Sequence, residues 1–141
     1  MKLVIVAVGK LKDAEARVLA DDYLGRLRRY TACEEREVKA PGDLAAAIPK
    51  DALVVALEVH GDAVTSPELA RRVESWASRG KGIVAFVIGG AEGIPKPLSA
   101  KADARLSLSK LTLPHRIARV ILAEQLYRAM TILRGEPYAR E

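Results

Sequence analysis

The chain has 141 residues and a mass of 15.3 kDa, with 50% hydrophobic and 29% charged residues, which predicts a single folded domain over 1–141. One cysteine, Cys33, excludes a disulfide scaffold, and the lack of any long apolar stretch predicts a cytoplasmic protein without a membrane segment. The net charge is +5, and residues 96–141 hold 9 Lys and Arg against 4 Asp and Glu, which is compatible with a nucleic-acid partner.

The first third of the chain predicts a strand, a helix and a second strand. Residues 3–8 form an apolar run rich in β-branched side chains, typical of a strand covered on both faces. Asp13 is placed to cap the helix that follows. A short strand is expected at 37–39, with a start as early as Cys33 left open, and a brief helix is expected over 43–48. The predicted apolar face of the first helix consists of Ala16, Leu19, Ala20, Tyr23, Leu24, Leu27 and Tyr30.

The middle of the chain continues the alternation of strand and helix. A buried strand is predicted over 52–59, and Thr65, Pro67 and Glu68 form a typical helix start. That helix should end near Gly80. A third buried strand, 83–88, then runs directly into a glycine-rich turn.

The last third predicts a short helix over 95–102, a half-covered strand over 106–109 and a long helix from His115 to about Arg134. The whole order favours an α/β fold with a mainly parallel sheet and helices on both faces. The long helix is apolar around nearly its whole circumference, which predicts a subunit interface and hence a homodimer. Its apolar residues are Ile117, Val120, Ile121, Leu122, Leu126, Met130, Ile132 and Leu133.

The glycine turn at 88–93 is the first candidate site. Gly89 and Gly90 follow a strand, where backbone amides can approach a ligand at the edge of a parallel sheet. The spacing is not that of the dinucleotide fingerprint. An ordinary turn between strand and helix is the alternative.

The segment 109–115 is the second candidate, because small polar and aliphatic residues between a strand and a helix could enclose an adenine ring. An ordinary connection is the alternative, and His115 is either a proton carrier or a helix cap.

The C-terminal Tyr138 and Arg140 form a third candidate, or else a frayed end. Two histidines and one cysteine at unrelated spacings predict no metal site.

Five segments taken together resemble one family. They read V-A-V-G-K, V-I-G-G-A-E-G, L-S-L-S-K-L-T-L-P-H, R-V-I-L-A-E-Q-L-Y-R-A and the closing P-Y-A-R-E. The chain resembles the RlmH-type pseudouridine methyltransferases of 23S ribosomal RNA, within the SPOUT or α/β-knot class. The resemblance extends over 1–141, and its specificity lies in the combination of segments.

The resemblance implies a C-terminal trefoil knot, S-adenosylmethionine as cofactor, a homodimer, and methylation of N3 of a pseudouridine in 23S rRNA, with the assembled ribosome as the expected substrate. The cofactor-binding positions that it implies are Leu57, Gly90, Ser109, Lys110, Leu111, Thr112, Leu113 and Pro114. They coincide with the sites chosen from the residues, to which Gly89 also belongs.

Methyl transfer from a sulfonium needs mainly in-line positioning, and the N3 proton must also leave. Tyr138, His115 and Glu141 are the possible proton acceptors, and Arg140 could stabilise an imide anion or hold a phosphate. The family's tail carries a histidine where this chain has Ala139, so a tail imidazole is not expected to be essential. We expect the partner's tail to complete each active site.

Two other functions remain open at this point. One is a non-catalytic RNA-binding module of the same fold, against which the intact glycine turn and 109–114 loop argue. The other is an unrelated nucleotide-binding enzyme with a Rossmann sheet, against which the missing G-x-G-x-x-G pattern and the unusually apolar last helix argue.

Overall fold

The computed structural model describes the backbone of residues 1–140 and the side chains of residues 1–139, and it contains a five-stranded parallel sheet. The strand order is β2-β1-β4-β3-β5, with parallel pairing between all neighbours. This confirms the predicted fold class. The strands are β1 Lys2–Val8, β2 Ala32–Val38, β3 Leu53–Ala63, β4 Ile83–Ile88 and β5 Ala104–Ser107.

Helices cover both faces of the sheet, as predicted. The larger core cluster joins one sheet face to the three long helices, and the smaller cluster joins the other face to two short helices. Two 3-10 turns complete the structure, at Pro41–Asp43 and Pro137–Arg140. The long helices are α1 Ala14–Leu27, α3 Ser66–Arg79 and α5 His115–Leu133, and the short ones are α2 Leu44–Ala47 and α4 Lys96–Lys101.

The predicted helix starts are confirmed by their caps. The Asp13 carboxylate accepts a hydrogen bond from the Ala16 amide at 2.9 Å. Thr65 and Glu68 form a reciprocal capping box at the start of α3. These caps satisfy amides that have no partner within their own helix, and so they fix where α1 and α3 begin.

The end of β3 differs from the prediction, because the strand continues to Ala63 instead of stopping at 59. Leu57 and Asp62 both pair with Leu106, so β3 shifts its register against β5 between them. A Cβ at Gly61 would lie 2.7 Å from backbone atoms of Leu106, so only glycine fits there. β5 itself ends at Ser107, two residues early, because the Ser107 hydroxyl donates to the Ser109 carbonyl at 2.9 Å and the chain turns away.

Two helix faces are less buried than predicted. Leu19 was expected in the core but is 48% exposed, beside Val18 at 69%, since it lies about 100° around α1 from Ala20, which faces the core. On α5, Ile117 is 40% exposed, while the side toward the sheet, including Leu122 and Leu126, is fully buried. Neither α5 nor any other described helix combines the length and apolarity needed to cross a bilayer.

Candidate functional site

The principal cavity has a volume of about 710 Å³ and lies at the carboxyl ends of β3 and β4. Its wall is formed by residues 57–60 of β3, where that strand passes beyond its pairing with β4, by the glycine turn (88–94), and by the loop after β5 together with the first turn of α5. Ligands of open parallel sheets bind at this edge. Of the positions expected to bind cofactor, Leu57, Gly89, Gly90, Ser109, Leu111, Thr112 and Leu113 line this cavity.

The glycine turn is closed on itself. The Gly93 amide donates to the Gly90 carbonyl at 3.0 Å, and Gly93 has a positive φ of 78°. A Cβ at Gly89 would lie 2.6 Å from the Gly93 carbonyl oxygen, so the tight turn needs glycine there. At Gly90 a Cβ would meet only the side chain of Val8, at 3.2 Å.

The loop between β5 and α5 is held by its own polar groups. The Ser109 hydroxyl accepts from the Leu111 amide at 2.9 Å. The Lys110 ammonium donates to the carbonyls of Gly61 at 3.0 Å and Val59 at 3.3 Å. Lys110 therefore ties the loop to the end of β3 and does not line the cavity, and neither does Pro114, which precedes α5.

His115 lies in the cavity wall as the first residue of α5. Burial and then the positive charge of Arg119 lower its pKa, although the Gly89 backbone and Glu37 act in the opposite direction. Its Nε2 atom is buried and has no hydrogen-bond partner among the described residues. A neutral imidazole is therefore the form that this environment favours near neutral pH.

Tyr138 lies outside the cavity wall of its own chain. Its phenol donates to Glu124 at 2.6 Å, and its ring centroid is 4.6 Å from that of Tyr127 on α5. Burial and the hydrogen bond to Glu124 raise the pKa of Tyr138, so this phenol keeps its proton. The side chain of Arg140 and the whole of Glu141 lie outside the described residues.

Sequence reasoning missed several residues of this region. Glu58, His60 and Glu92 line the cavity and add charged and polar groups to its rim. Arg119 is buried on α5 and forms ion pairs with Glu35 and Glu37 of β2. The sequence feature that could have indicated this cluster is an arginine within an otherwise apolar helix face.

Comparison with known proteins identifies the chain at the level of family. A family model described as predicted SPOUT methyltransferase matches residues 1–139. A protein of Sorangium cellulosum named ribosomal RNA large subunit methyltransferase H is 56% identical over 99% of both chains. Proteins of the same name from Roseobacter denitrificans and Acetivibrio thermocellus are 42% and 41% identical, with 99% of this chain covered in each case.

Solved structures share the fold at low sequence identity. A probable methylase family protein from Haemophilus influenzae Rd KW20 superposes with a TM-score of 0.59 at 14% identity, covering 97% of this chain and 69% of that one. The SpoU methyltransferase AviRb from Streptomyces viridochromogenes, in complex with AdoMet, gives a TM-score of 0.51 at 13% identity, covering 91% and 57%. These likenesses concern the fold alone.

Proposed function

Because the chain belongs to the SPOUT methyltransferase family, we propose that it transfers the methyl group of S-adenosylmethionine to N3 of a pseudouridine in 23S ribosomal RNA. The observation that carries the proposal is the full-length similarity to methyltransferases named for large-subunit ribosomal RNA. The positive excess in residues 96–141 supports an RNA substrate. The enzyme acts in the cytoplasm on the assembled ribosome, and the family implies a trefoil knot in the C-terminal part.

The main cavity suits this cofactor in size and chemistry. Its volume of about 710 Å³ is ample for a nucleoside ligand, and its wall combines apolar residues such as Leu57, Ile88 and Leu113 with the glycine turn. Backbone and side chains of 109–114 would enclose the adenine, and Gly89 and Gly90 would let the main chain approach the rest of the molecule.

The bound cofactor supplies an activated methyl group on a sulfonium whose thioether is a good leaving group. The protein's part is to hold the nucleobase in line with that group and to exclude water. The residues that line the cavity would hold the sulfonium with its methyl group facing N3 of the nucleobase, and a base on the protein would take the N3 proton. Among the candidate acceptors we favour the neutral His115, because its Nε2 atom has no hydrogen-bond partner among the described residues, whereas the Tyr138 phenol donates a hydrogen bond to Glu124.

The enzyme works as a homodimer in which the tail of one subunit completes the site of the other. Exposed Val18 and Leu19 on α1 and Ile117 on α5 support an interface, because they are apolar side chains left uncovered on two helices that pack against each other. Tyr138 is docked on α5 away from its own cavity, which supports a role for the tail at the partner's cavity. Arg140 would then face the RNA.

Methyl transfer from labelled S-adenosylmethionine tests the proposed function directly. Ribosomes and free 23S rRNA from cells lacking the modification are compared, and we expect label in 23S rRNA, at pseudouridine N3, with ribosomes as the better substrate. The Lys39→Met variant, changed at an exposed lysine outside the cavity, is the matched control and should keep the activity. Binding of RNA without binding of the cofactor would instead favour a non-catalytic RNA-binding module.

Mixed dimers test the contribution of the tail. A subunit lacking 138–141 is combined with a full-length subunit carrying Gly90→Val, each inactive as a homodimer. We expect activity at one of the two sites, where an intact tail meets an intact cavity. A mixed dimer that stays inactive, while both parents fold and dimerise, shows that the tail does not act across the interface.

A further inference from the structure

Arg119 is a buried cation in the second turn of α5. Its side chain is 1% exposed, and its Nη2 atom lies 2.6 Å from a carboxylate oxygen of Glu35 and 2.5 Å from one of Glu37. Its Nη1 atom donates to the Gly9 carbonyl at 3.0 Å. One guanidinium thus joins α5 to the end of β2 and to the turn after β1.

The two carboxylates have further partners. Arg17 on α1 lies 2.7 Å from Glu35 and 3.5 Å from Glu37. The Leu11 amide also donates to Glu37 at 3.0 Å. Arg17, Glu35, Glu37 and Arg119, here called the arginine network, contain two positive and two negative charges, so the charge of the buried Arg119 is balanced within a partly exposed cluster.

A network of this kind is a costly way to fill space. Desolvating ions is expensive, and apolar residues of the same volume often give equal stability. A guanidinium, however, can hold neighbouring elements in one relative orientation, because its planar group donates hydrogen bonds to several acceptors in a fixed geometry. A leucine side chain has no such directional contacts. What it fixes is the start of α5, where His115 and Ala118 line the cavity.

We propose that Arg119 is a positioning residue of the cavity, which holds the first turn of α5, and with it His115 and Ala118, in place against the glycine turn. The inference rests on the proposed function, which makes this cavity the binding site for S-adenosylmethionine. Arg119 does not line the cavity itself, so it acts through the residues that it holds. Arg17 shares both carboxylates but lies on α1, which contributes nothing to the cavity wall.

His115 provides an independent readout of this arrangement. The charged groups that act on it are Arg119 on its own helix, which lowers its pKa after burial, and Glu37 on β2, which opposes that shift. Loss of the Arg119 charge should therefore raise the pKa of His115. Arg17 is not among the groups that shift it.

The test compares Arg119→Met with Arg17→Met in the full-length protein, using calorimetry with S-adenosylmethionine at a temperature where circular dichroism shows both to be folded. We expect Arg119→Met to weaken binding about tenfold or more, since small displacements of a binding wall are costly. Arg17→Met should stay within about threefold of the wild type, because it loses only a partly exposed pair. Arg119→Lys keeps the positive charge but loses the planar guanidinium, so its affinity for S-adenosylmethionine should lie between those of Arg119→Met and Arg17→Met.

A second set of variants covers the case in which Arg119→Met does not fold. Arg119→Met combined with Glu35→Gln and Glu37→Gln keeps the volume, and Arg17 keeps its ion pair with Asp21, so this variant should fold yet still bind the cofactor weakly. The His115 titration is followed by NMR in a His60→Gln background, where a single imidazole remains. Its pKa should rise in Arg119→Met and stay unchanged in Arg17→Met.

The outcomes separate the inference from the function on which it rests. If the wild type binds no S-adenosylmethionine, the proposed function fails and the inference fails with it. If the wild type binds and the folded Arg119 variants bind as tightly as Arg17→Met, the inference alone is wrong. An unchanged His115 titration in Arg119→Met would also overturn it.

Discussion

Gly89 and Gly90 are adjacent in the turn after β4, yet the space around them differs. A Cβ at Gly89 would press on backbone atoms of Gly93, which cannot move without opening the turn. A Cβ at Gly90 would press on Val8, whose side chain can give by a few tenths of an ångström. The fold therefore requires glycine at position 89. At position 90, glycine matters because it leaves space in the cavity.

Substitutions at the two positions should therefore have different effects. Gly89→Ala should destabilise the fold by about 2 kcal/mol or more through backbone overlap, and Gly90→Ala by less than about 1 kcal/mol. Gly90→Val should weaken S-adenosylmethionine binding in a protein that still folds. Urea unfolding followed by Trp76 fluorescence, together with calorimetry, measures both effects. Unchanged cofactor affinity in folded Gly90→Val would contradict the assignment of the site.

His115 should make the stability of the protein depend on pH. Its pKa in the folded state is lowered by burial and by Arg119, so the unfolded chain binds a proton more readily. The free energy of unfolding should thus fall as pH drops below about 6.5, the ordinary histidine value. His115→Gln should lose less stability than the wild type between about pH 7.5 and about pH 5. His60→Gln controls for removal of an imidazole, and equal slopes in all three proteins would refute the prediction.

Local signals in the sequence were sufficient for some site residues and not for others. Glycines after a strand, and the loop before α5, are contiguous patterns whose place at the sheet edge follows from topology. Arg119 contacts residues 82, 84 and 110 positions away, so nothing near it in sequence indicates its partners. Lys110 likewise lies outside the cavity wall because its ammonium donates to carbonyls of β3, which are distant from it in the sequence.

Among the elements, β2 shows where pattern reasoning is weakest. Its sequence, ACEEREV, is mostly charged, and the apolar pattern predicted it only in part. The strand lies at the edge of the sheet, where Glu34 and Arg36 pair on one face and Glu35 and Glu37 meet Arg119 on the other. Ion pairs here replace the apolar contacts from which strands are usually recognised. The apolar strands β1 and β4 and the starts of the capped helices α1 and α3, by contrast, were predicted almost to the residue.

The loop between β5 and α5 should depend on Lys110 although that side chain does not line the cavity. Lys110→Met removes both hydrogen bonds to β3 and should weaken S-adenosylmethionine binding roughly threefold to tenfold by loosening the loop. Stability should change little, because the contacts are largely exposed. Lys101→Met, at the end of α4, is the matched control and should bind like the wild type. Equal affinities in the two variants would show that the loop holds its shape without Lys110.

At the scale of the whole molecule, the exposed apolar residues of α1 and α5 predict where two subunits would meet in a homodimer. Leu19→Glu, or Val18→Glu beside it, would place a charge in the apolar surface and should shift the protein from dimer to monomer. Light scattering at micromolar concentration should then give a mass near 15.3 kDa. Ala40→Glu, an exposed position remote from these helices in sequence, should remain dimeric. A wild-type protein that is already monomeric under these conditions would rule out this interface.

The position of α5 also has a consequence for how the chain folds. This last helix covers the same sheet face as α1 and α3, and the carboxylates of β2 find their buried cation only when it arrives. A chain still emerging during synthesis therefore exposes part of the apolar face of its sheet until α5 has emerged. The parallel pairing of β1 with β4 joins segments that are far apart in the sequence, and such contacts slow folding. Folding is thus postponed until α5 has been made, and a product truncated before or within α5 should be recognised by chaperones and proteases as unfolded.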